Sequence, residues 1–352
     1  MRKILKKAGI IFLCVTLAAI VITIALFWNE LRSLRSIKQV DDYGMFQMTY
    51  YGDYGFEDFL QIGASSDGDI EAFVTKRLLK GLPVNLNITG GGCTVFTVRN
   101  ERGEVIYGRN FDFSYAPSMQ VITRPKNGYA SVSTVNLEFA GYSRDNLPSG
   151  LNFNSFLSLA APFLPFDGIN EKGLAIALLA VPEASPAFDE NKVALNTTTA
   201  IRLVLDKAAT VNEAVELLKQ YNIYFSGGID CHFLIADASG ESILVEYYNN
   251  GLQAVTTVED YQIASNFIAY KDLNIGEGFD EFERYDAVKD AIDNNGGYLN
   301  EEQAITVLAE VGVMNNGVDK LQWSVVYNLS TLSGVMFAHR NTDNLIDFQL
   351  NS

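Results

Sequence analysis

The chain has 352 residues, of which 48% are hydrophobic and 19% charged, the balance of a protein with a packed core rather than of a disordered one. Its 42 acidic against 26 basic residues give a net charge of −16, which argues against a nucleic-acid partner and against a basic membrane-binding patch on the main domain. Three cysteines (one of them, Cys14, inside an apolar N-terminal run) rule out a disulfide scaffold, and two histidines without a Cys/His cluster leave no zinc site. No metal or cofactor is expected.

Residues 1–7 carry four cations, Arg2, Lys3, Lys6 and Lys7, and read as a cytoplasmic N-terminus. Ala8 to Trp28 is uncharged, almost wholly apolar and long enough to cross a bilayer as a helix. A cleaved signal peptide would have a shorter apolar stretch and a small-x-small site, whereas this run ends in Leu26, Phe27 and Trp28. A single-pass anchor over residues 8–28 is therefore expected. Four cations precede the span and three follow it (Arg32, Arg35, Lys38), which favours an extracytoplasmic main domain.

Residues 29–92 read as a pro-segment or linker. It is rich in tyrosine and glycine to about residue 68. A helix follows over Asp69–Lys80, with Asp67 or Asp69 as cap and Ile70, Phe73, Val74 and Leu78 on one face. The apolar faces of residues 45–80 suggest that this segment remains bound as a small subunit if the chain is cut behind it. The loop GLPVNLNITGGG ends at Gly92, the strongest break in the chain.

Residues 93–352 read as one domain. Strands at 93–99 and 104–108 flank the turn Asn100–Gly103, and further strands are expected at 120–124, 130–139, 173–181, 232–236, 242–248, 322–327 and 334–339. Helices are expected at 196–207, 211–221, 279–292 and 301–311. Strands in runs and helices in pairs predict an α+β fold, antiparallel sheets with helices packed outside them.

A cysteine nucleophile needs a base. His232, in an apolar strand beside Cys231, and His339, in the last strand, can both be satisfied structurally, so a Cys–His pair is the minor alternative. The other route makes Cys93 the first residue of a processed chain. Its α-amine, titrating at about 7.7–8.0, then serves as base, better matched than a lysine at about 10.4. Gly90-Gly91-Gly92 offers backbone free enough to hold the strained geometry in which the thiol attacks the Gly92 carbonyl. An N-to-S acyl shift and thioester hydrolysis would cut between Gly92 and Cys93.

The stretch CTVFTVRNERGEVIYGRNFDF, with Cys93 followed by Gly108-Arg109-Asn110-Phe111-Asp112, resembles the mature start of the choloylglycine hydrolase, penicillin V acylase and acid ceramidase-like group. Three downstream stretches are similar to that family in the right order: Asp167 to Leu174 (DGINEKGL), Thr210 to Ala214 (TVNEA) and Leu321 to Tyr327 (LQWSVVY). The resemblance implies an N-terminal-nucleophile hydrolase with a four-layer αββα fold that cleaves linear amides. It implies Cys93 as nucleophile, Asp112 holding the new amine, and Arg109 near the sulfur. It implies an oxyanion hole made by the Ala180 backbone N–H and the Asn196 side chain, with Asn266 bracing the site and Arg284 matching the arginine of a family helix.

Some of these residues also have plainer readings. Asn196 reads equally as a helix N-cap, Arg284 as a solvated helix residue, and Arg109 and Asp112 as a surface ion pair. Two features depart from the family: Ala180 stands where a polar or aromatic residue is usual, and 92 residues precede Cys93. The expected partner is a small-molecule amide with an apolar acyl group, selected by loops near 113–118, 140–165 and 181–195. Bile-acid conjugates, phenoxyacetyl β-lactams, N-acyl homoserine lactones and N-acyl amino acids or lipids all fit. An acyltransferase using the same acyl-enzyme, or an unprocessed binding protein of the same fold, are the alternatives.

Overall fold

In the run Cys93 to Arg99 apolar residues occupy both parities, so the strand they form can bury both of its faces. In the computed structural model, which describes residues 2–81, 91–148, 154–276 and 281–350, Gly92–Arg99 pairs antiparallel with Val105–Asp112. The turn between them is held by Asn100, whose Oδ1 accepts the N–H groups of Arg102 and Glu104. The register sets Cys93 opposite Phe111, Val95 opposite Arg109 and Gly92 opposite Asp112. This hairpin lies in a six-stranded antiparallel sheet ordered Gln262–Ala264, Gly92–Arg99, Val105–Asp112, Leu321–Asn328, Ser333–Ala338, Ile346–Gln349.

Successive side chains point to opposite faces. Cys93, Val95, Tyr107 and Phe111 enter the main core, which is shared with a second sheet. Phe96, Val98 and Ile106 enter a separate core under the helices Glu281–Asn294 and Glu301–Val311. The second sheet has nine strands. Its centre runs Ser118–Thr123, Ser131–Asn136, Pro165–Asn170, Ala175–Ala180, Cys231–Ala236, and its outer face is covered by the helices Thr197–Lys207 and Val211–Leu218. The resulting order of helices, sheet, sheet and helices is an α+β layering, and Cys93 points into its middle.

The described part of the segment ahead of Cys93, residues 29–81, packs into this fold. Met45–Thr49 joins the nine-stranded sheet as a strand parallel to Ser118–Thr123, with Lys38–Gln39 outside it. A strand here had no counterpart in the sequence reading. The expected helix runs over Asp67–Arg77, and its cap is Ser66, which accepts the Asp69 N–H, rather than either aspartate. Leu34, Phe46, Met48, Phe56, Phe59, Ile70 and Val74 are buried in the main core. Tyr54 places its hydroxyl 2.8 and 2.7 Å from the two oxygens of Asp206, which is itself ion-paired with Arg202 at 2.9 Å. Gly90 of the glycine run lies outside the described residues.

The apolar N-terminal run forms the helix Arg2–Leu26, with Ile11, Phe12, Leu13 and Val15 exposed. Among the described residues no single helix is long and apolar enough to cross a membrane; Ile10–Leu26 and Trp28–Arg35 reach that length only together, bent by 68°.

Candidate active site

Cys93 is the second residue of its strand, and its sulfur is buried between the sheets. Arg109 shares that face of the hairpin and donates from Nη2 to the Cys93 sulfur at 3.9 Å. A guanidinium buried without exposure needs a counter-charge, and Asp167 supplies it at 3.1 Å from Nε, itself fully buried. Asp167 in turn accepts from Trp323 Nε1 at 3.2 Å and from the Tyr327 hydroxyl at 2.6 Å. The guanidinium also lies 5.1 Å from the Phe111 ring and 5.2 Å from that of Trp323. Arg109 and Asp167 thus form a buried pair, not a surface one.

Asp112 is three residues from Arg109 and so faces the other way. It stands opposite Gly92, and its Oδ1 accepts the Val313 N–H at 2.7 Å. Arg109 is therefore beside the sulfur, and Asp112 is beside the Gly92–Cys93 peptide bond.

Asn266 follows the edge strand Gln262–Ala264, and that pairing brings it to the same bond. Its Oδ1 accepts the Cys93 N–H at 2.7 Å, and its Nδ2 donates to the Ala180 carbonyl at 2.8 Å. Arg284, on the helix Glu281–Asn294, donates from Nη1 to the Cys93 carbonyl at 2.5 Å and to Thr94 Oγ1 at 2.8 Å, and from Nη2 to Asn266 Oδ1 at 2.9 Å. It is buried rather than a solvated helix residue.

Asn196 is elsewhere. It caps the helix Thr197–Lys207, with its Oδ1 accepting the Thr199 N–H at 2.9 Å and its Nδ2 donating to Ser226 Oγ at 2.7 Å. The asparagine at the nucleophile is Asn266. Neither histidine faces the thiol: His232 is held between Glu246 and the Ser265 carbonyl, and His339 packs on Tyr43. Among the described residues no three His, Cys, Asp or Glu side chains gather as a metal site.

Burial pushes the Cys93 thiol up from its ordinary range. The Arg109 charge opposes this, Asp112 adds to it, and Arg284 and the Ala180 backbone N–H, directed at the sulfur, favour the thiolate. The Cys231 thiol is also pushed up, again by burial first. In the continuous chain a raised pKa leaves little thiolate at neutral pH. Iodoacetamide is therefore expected to label Cys93 of the full-length chain only as the pH rises above the usual thiol range. Peptide mass spectrometry of the full-length species across a pH series reads this, and rapid labelling of Cys93 in it at pH 7 would contradict it.

The Cys93 side chain ends in an apolar cavity walled by Phe111, Phe139, Phe166, Leu178, Ile229 and Cys231, with a free volume of about 30 Å³, room for roughly one water. Outside lies an open cleft of about 1000 Å³ whose walls include Asp112, Asp230, Asn266, Arg284 and Lys320. The two meet at Gly91, Ala180 and Ile229. A Cβ on Gly91 would stand 2.6 Å from the Asp112 carbonyl oxygen, so the chain leading to Cys93 threads this junction only as glycine.

The residues that the sequence left unassigned are Asp167, Trp323, Tyr327, Ser265 and Ser226. Trp323 and Tyr327 are an even number of residues apart in one strand, so they share a face, and that spacing is the signal that could have found them.

Residues 93–275, just over half of the chain, match the linear amide C-N hydrolases, choloylglycine hydrolase family. Penicillin V acylase of Pectobacterium atrosepticum is 33% identical over 113 residues, which are 28% of this chain and 29% of that protein. The chain thus matches under a third of this relative's length. Among solved structures, a variant of the conjugated bile acid hydrolase from Clostridium perfringens superposes with a TM-score of 0.53 at 19% identity, covering 74% of this chain and 92% of the other. Penicillin V acylase from Agrobacterium tumefaciens gives a TM-score of 0.53 at 19% identity, over 74% and 87%. At that identity these two likenesses speak for the fold.

Proposed function

The chain belongs to the choloylglycine hydrolase family of linear amide C–N hydrolases, and from that membership we propose that it cuts itself before Cys93 and then hydrolyses amides with an apolar acyl group. The observation that carries this is the convergence on one residue. Arg109, Asn266, Arg284 and the Ala180 N–H all address Cys93, at the end of an apolar cavity and directly after glycines.

In the cut, the Cys93 sulfur adds to the Gly92 carbonyl carbon, the C–N bond breaks, and the acyl group moves to sulfur. Water then hydrolyses the thioester, giving the Gly92 carboxylate and a free α-amine on Cys93. That amine inherits the acceptor Asn266 Oδ1 and lies beside Asp112, whose carboxylate would hold it by a charge-assisted contact. It then takes the thiol proton as sulfur attacks a substrate amide. The oxyanion that forms is met by the Ala180 N–H and by Asn266 Nδ2, swung from the Ala180 carbonyl. The amine takes up the proton and leaves, and water cleaves the remaining thioester. The acyl part would occupy the Phe111–Phe139–Phe166 cavity and the amine part the polar cleft.

Residues 29–92 stay bound as a small subunit in this reading, because their strand and helices are built into the sheet and core. The exposed apolar helix Arg2–Leu26 is proposed to seat this subunit in a membrane with the catalytic domain on the extracytoplasmic side.

N-terminal sequencing and intact mass of the purified protein test the core of the reading. Two fragments are expected, the larger beginning at Cys93, and Cys93→Ala should stay in one piece and turn over no amide. A wild-type chain that hydrolyses amides while uncut, or an active Cys93→Ala, would refute it.

A further inference from the structure

One wall of the apolar cavity is a loop that carries little of its own support. Ser226 and Ile229 face the cavity, and between them Gly227 and Gly228 sit at φ of 62° and 70°, in the left-handed region. The loop has one internal hydrogen bond, from the Ile229 N–H to the Ser226 carbonyl at 3.2 Å. What pins it comes from outside. Ser226 Oγ donates to Asp67 Oδ1 at 2.6 Å, and the Gly227 N–H donates to Asp67 Oδ2 at 3.0 Å. Asn196 Nδ2 donates to the same Ser226 oxygen at 2.7 Å, tying in the helix start whose Thr197 and Thr198 also face the cavity.

Asp67 is the first residue of the helix Asp67–Arg77, on the far side of the proposed cut from the nucleophile. Its carboxylate holds a hydroxyl and a backbone N–H of a diglycine turn at once. Such charge-assisted contacts are the strong ones, and here they fix backbone that glycine would otherwise let move.

We propose that Asp67 is a positioning residue that sets the width of the acyl cavity from the N-terminal segment, so that acyl selectivity is decided jointly by both sides of the Gly92–Cys93 bond. The proposal rests on the reading of Cys93 as nucleophile and of this cavity as the acyl site. With Asp67 in place the cavity is narrow, with room for roughly one water, so an acyl group must widen it and slim chains are favoured. Without Asp67 residues 226–229 move outward, as far as Asp230, which the Val181 and Ala184 N–H groups hold at 2.9 and 2.8 Å, and bulky acyl groups enter. A tie that served stability alone would leave this preference untouched.

The test compares wild type, Asp67→Asn, Asp67→Ala and Ser226→Ala on 4-nitroanilides of butyric, phenylacetic and diphenylacetic acid, with kcat and KM measured separately. The ratio of kcat/KM for the diphenylacetyl over the butyryl substrate is expected to rise about tenfold in Asp67→Ala, mainly through KM, on the scale by which apolar pockets discriminate. Smaller rises are expected in the other two variants, and these keep the question decidable if Asp67→Ala does not fold. Ratios within about twofold of wild type in every folded, processed variant would overturn the proposal. If wild type cleaves no anilide, the reading of the site has failed instead. Calorimetric binding of the same anilides to Cys93→Ala, with and without Asp67→Asn, then decides whether Asp67 sets the cavity.

Discussion

Asp167→Ala is expected to lower the unfolding free energy by about 3–5 kcal/mol, the usual penalty for removing one partner of a fully buried ion pair. The loss has three parts. Arg109 keeps its charge with neither water nor carboxylate beside Nε, since both side chains of the pair are inaccessible. The Tyr327 hydroxyl and the Trp323 indole N–H lose their shared acceptor, and each unsatisfied buried donor costs about 1–3 kcal/mol before the site relaxes. The guanidinium, no longer anchored, is also free to leave the Cys93 sulfur.

Urea unfolding followed by the fluorescence of Trp323, which sits in the pair's own environment, reads the first two parts. The third is separated by the double variant Arg109→Met, Asp167→Leu. It removes both charges together and should recover much of the stability but none of the amide hydrolysis. A loss below about 1 kcal/mol in Asp167→Ala would mean that water or another group reaches Arg109, and the buried relay would have to be abandoned.

The hairpin was legible because its information is local. A strand, an Asn-led turn and a returning Gly-Arg-Asn-Phe-Asp place Arg109 and Asp112 near Cys93 whatever the rest of the chain does, and period two decides which of them meets the sulfur. Arg109's partner was not legible. Asp167 belongs to the facing sheet, and nothing within its own stretch says which residue lies across the sandwich.

The two asparagines show the same limit. Asn196 opens a helix, and the capping role follows from that local context. Asn266 meets Cys93 only because a three-residue strand pairs with the edge of Gly92–Arg99, a contact across 173 positions. Likewise Met45–Thr49 is five residues between turn-rich stretches, and its place as a parallel strand depends on an edge that forms seventy residues later. Parallel pairing carries no hairpin signal, so short strands of this kind are visible only once the sheet exists.

The consequence is largest for residues 29–92. Residues 93–352 produced alone are expected to be insoluble or loosely packed, whereas the two fragments left by the proposed cut should stay together through gel filtration and separate only under denaturing conditions. Among the described residues of the segment ten large apolar side chains are buried (Leu34, Met45, Phe46, Met48, Phe56, Phe59, Ile70, Val74, Leu78 and Leu79). At about 1.5–3 kcal/mol each their burial is worth on the order of 15–30 kcal/mol gross, part of it within the segment itself. Half of that is already comparable with the roughly 5–15 kcal/mol by which a domain is typically stable.

Removal would also bare the Ser118–Thr123 edge, an open template for other strands, and would leave the buried Arg202–Asp206 pair without the Tyr54 hydroxyl. Burial already holds the Asp206 carboxyl above its usual range, so losing a donor to it weakens the charged form further. Supplying residues 29–92 as a separate chain during refolding should restore solubility and a cooperative unfolding transition. A 93–352 fragment that is soluble, monomeric and cooperative on its own would show that the segment is a passenger. The proposal that Asp67 shapes the acyl cavity would then have to survive on the selectivity data without support from an obligatory subunit.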